Sequence, residues 1–439
     1  MAICLGYFMV ILDVTVVNVA LPAVGDDLAA GVSVLQWVID GYTLAFAALL
    51  LTAGSLGDRI GSKRVFQGGL AAFTGASLAC MLAPSATWLV AARLAQGIGA
   101  AMLVPSSLAL LRAAYADGAE RARAVGIWAS IAGIAAASGP VLGGVLVSGL
   151  GWRAVFLVNL PVGLAAMALA ARYVPADGGR RHGGVDACGQ LTAAVALAAL
   201  TFALIEAGPH GWGSPVVLGA FAVFAVALPA FVAIERRAFA PMLPLGLFRS
   251  ATFSGATAIG LAINLGFYGQ LFVMSLYFQH VRGYSALATG LALLPEGALV
   301  AASSLVSGRV TARTGPRLPM VIGLGAGALG LLMLAAAGAG TSYGLLVPGL
   351  VLTGFGISFT MPAATAATIG AAPARRAGVA AGVLNAGRQV GGAIGVALLG
   401  TLVGAGGMHA ALALAGGVFL AGLIVALLIT PTAAAAGSR

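Results

Sequence analysis

Apolar runs follow one another from end to end of this chain, each about 20 residues long, which is what an α-helix needs to cross a bilayer. Counting them gives fourteen spans, at 2–24, 35–56, 65–84, 88–112, 123–148, 153–173, 187–207, 213–234, 251–278, 286–307, 318–337, 341–366, 378–404 and 409–430. Of 439 residues, 61% are hydrophobic and 8% charged, more apolar surface than a soluble fold can cover. A membrane β-barrel would instead read as short alternating strands. The expected fold class is therefore an all-α polytopic membrane protein with fourteen transmembrane helices.

The cations set the orientation. Of the 22 Lys and Arg, 18 fall in even-numbered connections or at the helix ends beside them. Asp58–Arg64, Arg112, Arg121, Arg123, Arg172, Arg180, Arg181, Arg236, Arg237, Arg249, Arg309, Arg313, Arg317, Arg375 and Arg376 belong to this set. Arg153 and Arg282 stand on the other side, and Arg93 and Arg388 within spans. Basic residues are retained in the cytoplasm, so both termini are expected there. The net charge of +10 is thus a topology signal and implies no nucleic acid. The first run begins almost at Met1, contains Asp13 and lacks a small-residue cleavage site, so it reads as a retained helix. Its missing basic leader points to a start upstream of Met1. Cys4, Cys80 and Cys188 have no metal-ligand spacing and read as small packing residues.

An internal repeat divides the spans. GSLGDRIGSK at Gly54–Lys63 aligns with GRVTARTGPR at Gly308–Arg317, with Gly61 and Gly315 separated by 254 residues. Gly97, Gly99 and Pro105 of helix 4 recur as Gly354, Gly356 and Pro362 of helix 12, 257 residues on. That offset covers eight helices. The expected organisation is a six-helix bundle over 1–173, two inserted helices over 174–250 that lie at the periphery, and a second six-helix bundle over 251–439.

Several intramembrane polar residues stand out, because a charge there must be neutral, paired or wet. Asp13 lies near the middle of helix 1, with Asn18 five residues on. Asp40 in helix 2, near Trp37 and Tyr42, suits either a cavity mouth or the interface. Arg93 in helix 4, close to Gln96, needs a partner, and Asp40 and Asp13 are both candidates. Glu296 in helix 10 and Arg388 in helix 13 could pair with each other or meet a substrate. Asn264, Tyr268 and Gln270 add polar groups to helix 9. In the loop, Asp58 beside Arg59, Lys63 and Arg64 can form charge-assisted hydrogen bonds that hold one conformation, and Gly54, Gly57 and Gly61 permit a tight turn. In helix 5, Pro140 predicts a kink, and Gly139, Gly143 and Gly144 a close helix contact.

These patterns carry a family resemblance. G-x-L-x-D-R-x-G-x-K-R at Gly54–Arg64 resembles the signature loop between helices 2 and 3 of the major facilitator superfamily. LDVTVVNVALP at Leu12–Pro22 resembles the helix-1 signature of its fourteen-helix drug:proton antiporter branch. ARLAQGIG, with Arg93, Gln96, Gly97 and Gly99, is similar to a motif whose Arg is linked to proton transfer. SGPVLGG at Ser138–Gly144, followed by WRAVFLVNLP at Trp152–Pro161, is similar to the antiporter motif of exporters. The resemblance implies a major facilitator fold of two six-helix bundles plus two inserted helices. It further implies proton-coupled export of drugs or antibiotics from a bacterial cytoplasmic membrane, by a monomer, with a small lipophilic cargo for which a cation is one option. The resemblance points to Asp13, to Arg93 with Gln96 and to Arg388 for coupling, and to Gly54–Arg64 for a conformational latch; Asp40 and Glu296, which it does not carry, join the candidates for coupling and substrate from their place in the membrane alone.

No ATP-binding loop, zinc-protease or dinucleotide motif occurs, and no loop is long enough for an ATPase. No cofactor or metal is expected, and the proton gradient would supply the energy. Two rivals stay open: a dedicated exporter or importer of one metabolite in the same fold, and, more remotely, a membrane-embedded enzyme or sensor.

Overall fold

The computed structural model describes residues 2–115, 118–175, 186–238, 241–373 and 376–429. Met1, Arg180, Arg181, His182 and Arg375 lie outside the described residues, as do the side chains of Arg121 and Arg123. The described residues form fourteen membrane-length helices. They are α1 Ala2–Leu28, α2 Val32–Ile60, α3 Ser62–Met81, α4 Ala86–Ala114 and α5 Gly118–Leu150. Then come α6 Ala154–Tyr173, α7 Ala187–His210, α8 Pro215–Arg237, α9 Ala251–Val281 and α10 Ala286–Thr314. The last four are α11 Arg317–Ala335, α12 Tyr343–Gly370, α13 Ala377–Gly404 and α14 Gly407–Leu428. Thirteen are apolar enough to qualify as spans by composition alone. The exception, α3, opens with Lys63 and Arg64 and carries Gln67, Thr74 and Ser77 along its length.

The connections are tighter than the charge pattern suggests. The expected loop around Asp58–Arg64 shrinks to one residue: α2 runs through Ile60 and α3 starts at Ser62. Gly61 makes that turn at φ 99° and ψ 132°, a region that a side chain makes costly. Its N–H returns to the Gly57 carbonyl at 3.0 Å. Asp58 and Arg59 therefore sit on the last turn of α2, exposed, while Gly54 and Gly57 are ordinary helical positions. Gly315 repeats the device between α10 and α11, at φ 80°. Gly407, at φ 75°, breaks what is otherwise one helical tract into α13 and α14.

The chain forms two compact units, Met1–Met242 with Ser275–Ala292, and Leu243–Met274 with Leu293–Arg439. Each unit repeats the same close approaches. A Cβ at Gly97 would strike the Tyr42 carbonyl of α2, and one at Gly354 the Glu296 carbonyl of α10. A Cβ at Gly99 would lie 2.6 Å from the Phe73 nitrogen of α3, and one at Gly356 2.6 Å from the Gly327 Cα of α11. Glycines thus let α4 and α12 each sink between two neighbours, and the internal repeat is a repeat of packing.

The inserted helices belong to the first unit. α7 and α8 pack on each other, and α7 on α2. The α8 side chains Val216, Leu218, Val223, Val226 and Leu228 are exposed, as suits a helix facing lipid. The α7 face is tied down: Gln190 Nε2 donates to the Ala48 carbonyl at 2.8 Å, and Trp37 Nε1 to Glu206 Oε1 at 3.2 Å.

Candidate buried-charge sites

In the N-terminal unit five helices contribute to one network around a buried carboxylate. Asp13 lies on α1 between Leu12 and Val14, fully buried. Its Oδ2 accepts from Arg93 Nη1 of α4, and this ion pair is also fully buried. Its Oδ1 accepts from Gln96 Nε2 at 2.8 Å and from Asn159 Nδ2 of α6 at 3.0 Å. Ser77 Oγ of α3 accepts from the same two amides, at 2.8 and 3.2 Å. Arg93 is satisfied in turn: Nη1 reaches Gln96 Oε1 at 2.7 Å and Nε the Val38 carbonyl of α2 at 2.9 Å. The guanidinium lies over the Tyr42 ring, 4.4 Å from its centroid. A carboxylate holding three N–H donors is a strong, charge-assisted arrangement. Removing one member of such a pair strands the other charge in a low dielectric.

This geometry settles one alternative and rejects another. Arg93 pairs with Asp13, not with Asp40. Asp40 is fully buried, and neither of its oxygens has a hydrogen-bond partner among the described residues. Asn18 turns its Nδ2 onto the Val14 carbonyl at 2.8 Å, within its own helix. Two members of the network, Ser77 and Asn159, were not singled out from sequence. Asn159 lies inside Trp152–Pro161, a stretch whose amide carried no sign of its partner.

In the C-terminal unit the buried acid Glu296 is far less satisfied than Asp13. α10 breaks at Leu293, and Pro295 opens its second segment, which places Glu296 in a first turn. Glu296 Oε2 accepts from Gln270 Nε2 of α9 at 3.1 Å. Glu296 Oε1 and Gln270 Oε1 have no hydrogen-bond partner among the described residues. Arg388 donates from Nη1 to Asn385 Oδ1 at 3.0 Å, and its Nε has no partner among the described residues. Among the described residues no ion pair joins Glu296 to Arg388, so the expected pairing option does not occur.

The helix-5 glycines are packing devices. A Cβ at Gly139 would overlap Thr15 of α1, one at Gly143 would lie 2.8 Å from the Val16 carbonyl, and one at Gly144 2.7 Å from the Ala286 carbonyl. Lys63 Nζ reaches the α6 end, donating to the Ala171 carbonyl at 3.2 Å. Of the cysteines, Cys80 is buried beside Gln96, while Cys188 is exposed and packs no core. A cavity of about 660 Å³ lies among the ends of α1, α4 and α6, lined by Ile3, Cys4, Leu110, Tyr115 and Tyr173. None of the buried charges lines it. Among the described residues no His, Cys, Asp or Glu cluster could hold a metal ion.

A family model described as Major Facilitator Superfamily matches residues 3–396 and 298–439. The chain belongs to the Major Facilitator Superfamily of multi-pass membrane transporters. It is 41% identical over 404 residues to the methylenomycin A resistance protein of Streptomyces coelicolor, covering 92% of this chain and 84% of that one. It is 41% identical to the multidrug resistance protein Stp of Mycobacterium tuberculosis, over 91% of this chain and 74% of the relative. The tetracenomycin C resistance and export protein of Streptomyces glaucescens is 38% identical, over 92% and 75%. The fold is that of the human organic anion transporter MFSD10, whose crystal structure aligns with a TM-score of 0.68, 16% identity and coverage of 97% and 98%.

Proposed function

We propose that this protein exports drugs or antibiotics across the bacterial cytoplasmic membrane, by alternating access and in exchange for protons. The resistance and export relatives, at about two-fifths identity over most of the chain, support the cargo class. The observation that carries the coupling is the Asp13–Arg93 network, because one carboxylate there joins α1, α4 and α6, its amide partners reach Ser77 of α3, and its arginine reaches α2. A proton on Asp13 cancels the charge that holds Arg93. The guanidinium then needs a new partner, and the helices it ties must shift to provide one. Moving one charge through 100 mV supplies about 2.3 kcal/mol, enough to sustain roughly a fiftyfold gradient of a neutral cargo.

The remaining parts follow from this scheme. Both termini face the cytoplasm. Residues 1–173 and 251–439 act as the two bundles, with the pair in 174–250 carried as an insertion. Gly54–Arg64 serves as the latch: Asp58 and Arg59 stand exposed at the end of α2, ready to pair in one state. Asp40, with no partner for either oxygen among the described residues, is a second place for a proton to rest. The protein works as a monomer on small lipophilic molecules, cations among them.

The test is ethidium movement in proteoliposomes under an imposed proton gradient. Native protein should move the dye only with the gradient, and Asp13→Asn should stop gradient-driven movement while the protein still elutes as a single folded species. Dye movement by native protein that ignores the gradient would sink the antiport mechanism. A native protein that moves no lipophilic compound would point to the rival, an exporter of one metabolite.

A further inference from the structure

Asp13 of the first unit and Glu296 of the second are met in opposite ways, and the internal repeat shows what differs at Glu296. Glu296 of α10 stands where Tyr42 stands in α2, 254 residues on. Gly354 of α12 lies against the Glu296 backbone as Gly97 of α4 lies against Tyr42. Four residues before Gly97 stands Arg93, whose guanidinium covers the Tyr42 ring. Four residues before Gly354 stands Leu350, fully buried. The C-terminal unit therefore keeps the backbone contact and has an acid without the arginine. The intramembrane cation of that unit, Arg388, donates to Asn385 within its own helix and makes no ion pair with Glu296 among the described residues.

The chemistry left over at Glu296 is one-sided. Glu296 is 2% exposed, and Gln270 is fully buried. Gln270 Nε2 donates to Glu296 Oε2, which fixes the two side chains together. What remains is Glu296 Oε1 and Gln270 Oε1, both acceptors, both without a partner among the described residues. An acid at membrane depth must be neutral, paired or wet, and two adjacent acceptors call for N–H or O–H donors.

The geometry points to a cargo subsite in the C-terminal unit: Glu296 and Gln270 receive a protonated amine of the exported molecule, one N–H on each free oxygen. This rests on the export reading above and adds to it the chemical class of one cargo group. A primary or secondary ammonium supplies charge and two N–H donors. A quaternary ammonium supplies only the charge, and an amide neither charge nor a second donor. Gly354 packs directly against Glu296, since a Cβ there would come within 3.1 Å of the Glu296 Cγ.

The experiment uses one fluorescent scaffold in three forms, on the full-length purified protein. Monodansylcadaverine carries a primary ammonium; its N-acetyl derivative is neutral, and its trimethylammonium derivative is a cation without N–H. Binding is read from dansyl fluorescence, and proton-driven transport of each probe is followed in proteoliposomes. Native protein should bind the ammonium about tenfold or more tightly than the N-acetyl form, as a charge-assisted bond to a buried carboxylate requires, with the trimethylammonium form between. In Glu296→Gln the preference should fall to near one, and in Glu296→Asp, which keeps the charge, part of it should return. A native protein with no such preference, or a Glu296→Gln variant that keeps it, overturns the subsite. Loss of gradient-driven transport of all three probes with the binding preference intact also overturns it, and makes Glu296 a proton carrier. Ethidium export by the native protein, measured in the same vesicles, tests the export reading separately: its failure beside an intact, Glu296-dependent preference leaves the subsite standing and removes the export.

Discussion

The N-terminal and C-terminal units share a packing scheme and differ in how they handle charge. Both seat a glycine-rich helix between two neighbours, and both turn between their second and third helices on a single positive-φ glycine, Gly61 or Gly315. In the first unit Asp13 has a buried arginine and two amides, which between them occupy both of its oxygens. In the second the acid has one amide and a free oxygen. The lesson is that duplication conserves what packing demands and releases what chemistry decides. A glycine under a backbone carbonyl cannot change without a clash, whereas an arginine can become Leu350 if something else meets the acid.

The comparison breaks first at the acids themselves. Asp13→Asn leaves Arg93 buried and unpaired, so it should destabilise the protein by about 3–5 kcal/mol, read as a large drop in thermal unfolding temperature in detergent. Glu296→Gln strands no charge and should cost less than about 1 kcal/mol. Replacing both members of the first pair, as Asp13→Leu with Arg93→Leu, should recover most of the stability and none of the gradient-driven transport. Equal costs for Asp13→Asn and Glu296→Gln would mean that the second acid has a counter-charge after all.

Making the second unit resemble the first is the next test. Leu350→Arg restores the repeat position of Arg93 opposite Glu296. The variant should fold, because the new cation has an acid to meet, and it should no longer favour an ammonium probe over a neutral one. Combined with Glu296→Gln the same arginine has no partner, and the double variant should lose about 3–5 kcal/mol relative to Leu350→Arg alone. Additive, small effects of the two substitutions would show that residue 350 does not reach Glu296.

The shared packing should respond symmetrically. Gly97→Ala and Gly354→Ala each push a methyl group into a backbone carbonyl. Overpacking of this kind costs about 1–3 kcal/mol, and thermal unfolding should show similar losses for both. A clear asymmetry would mean that one unit relaxes its helices where the other cannot.

How much of this was legible beforehand follows from what each signal measures. Spans are legible because crossing a bilayer demands length and hydropathy, and all fourteen helices fall at the expected runs. Asp13, Arg93 and Glu296 were conspicuous as charges within those runs. Their partners were not, because partnership depends on the rotation of each helix about its axis. One residue turns a side chain by about 100°, so span limits blurred by a few residues left Asp40 and Asp13 equally placed for Arg93. Asn159 was hidden for a related reason, since a single amide in an apolar helix disturbs no periodicity. The Gly54–Arg64 turn looked longer than it is because charges mark the membrane boundary, not the end of the helix. Asp58 and Arg59 are polar and still helical.

The smallest expected difference is also the finest probe of the repeat. Lys63 and Arg317 occupy equivalent positions, two residues after Gly61 and Gly315. Lys63 Nζ donates to the Ala171 carbonyl near the end of α6, and Arg317 Nη2 to the Leu427 carbonyl near the end of α14, at 2.5 Å. Each cation thus caps the last helix of its own bundle, where unpaired carbonyls and the helix dipole favour positive charge. Lys63→Met and Arg317→Met should each cost about 0.3–1 kcal/mol at low salt, and less as salt screens the exposed charge. Because the capped helices belong to different units, the two losses should add in the double variant. A salt-independent loss would assign the contribution to packing of the side-chain stems. A loss at Lys63 much larger than at Arg317 would mean that Lys63 also serves the latch beside it, a role the end of α10 has no means to share, since Ala312 stands there where Asp58 stands in α2.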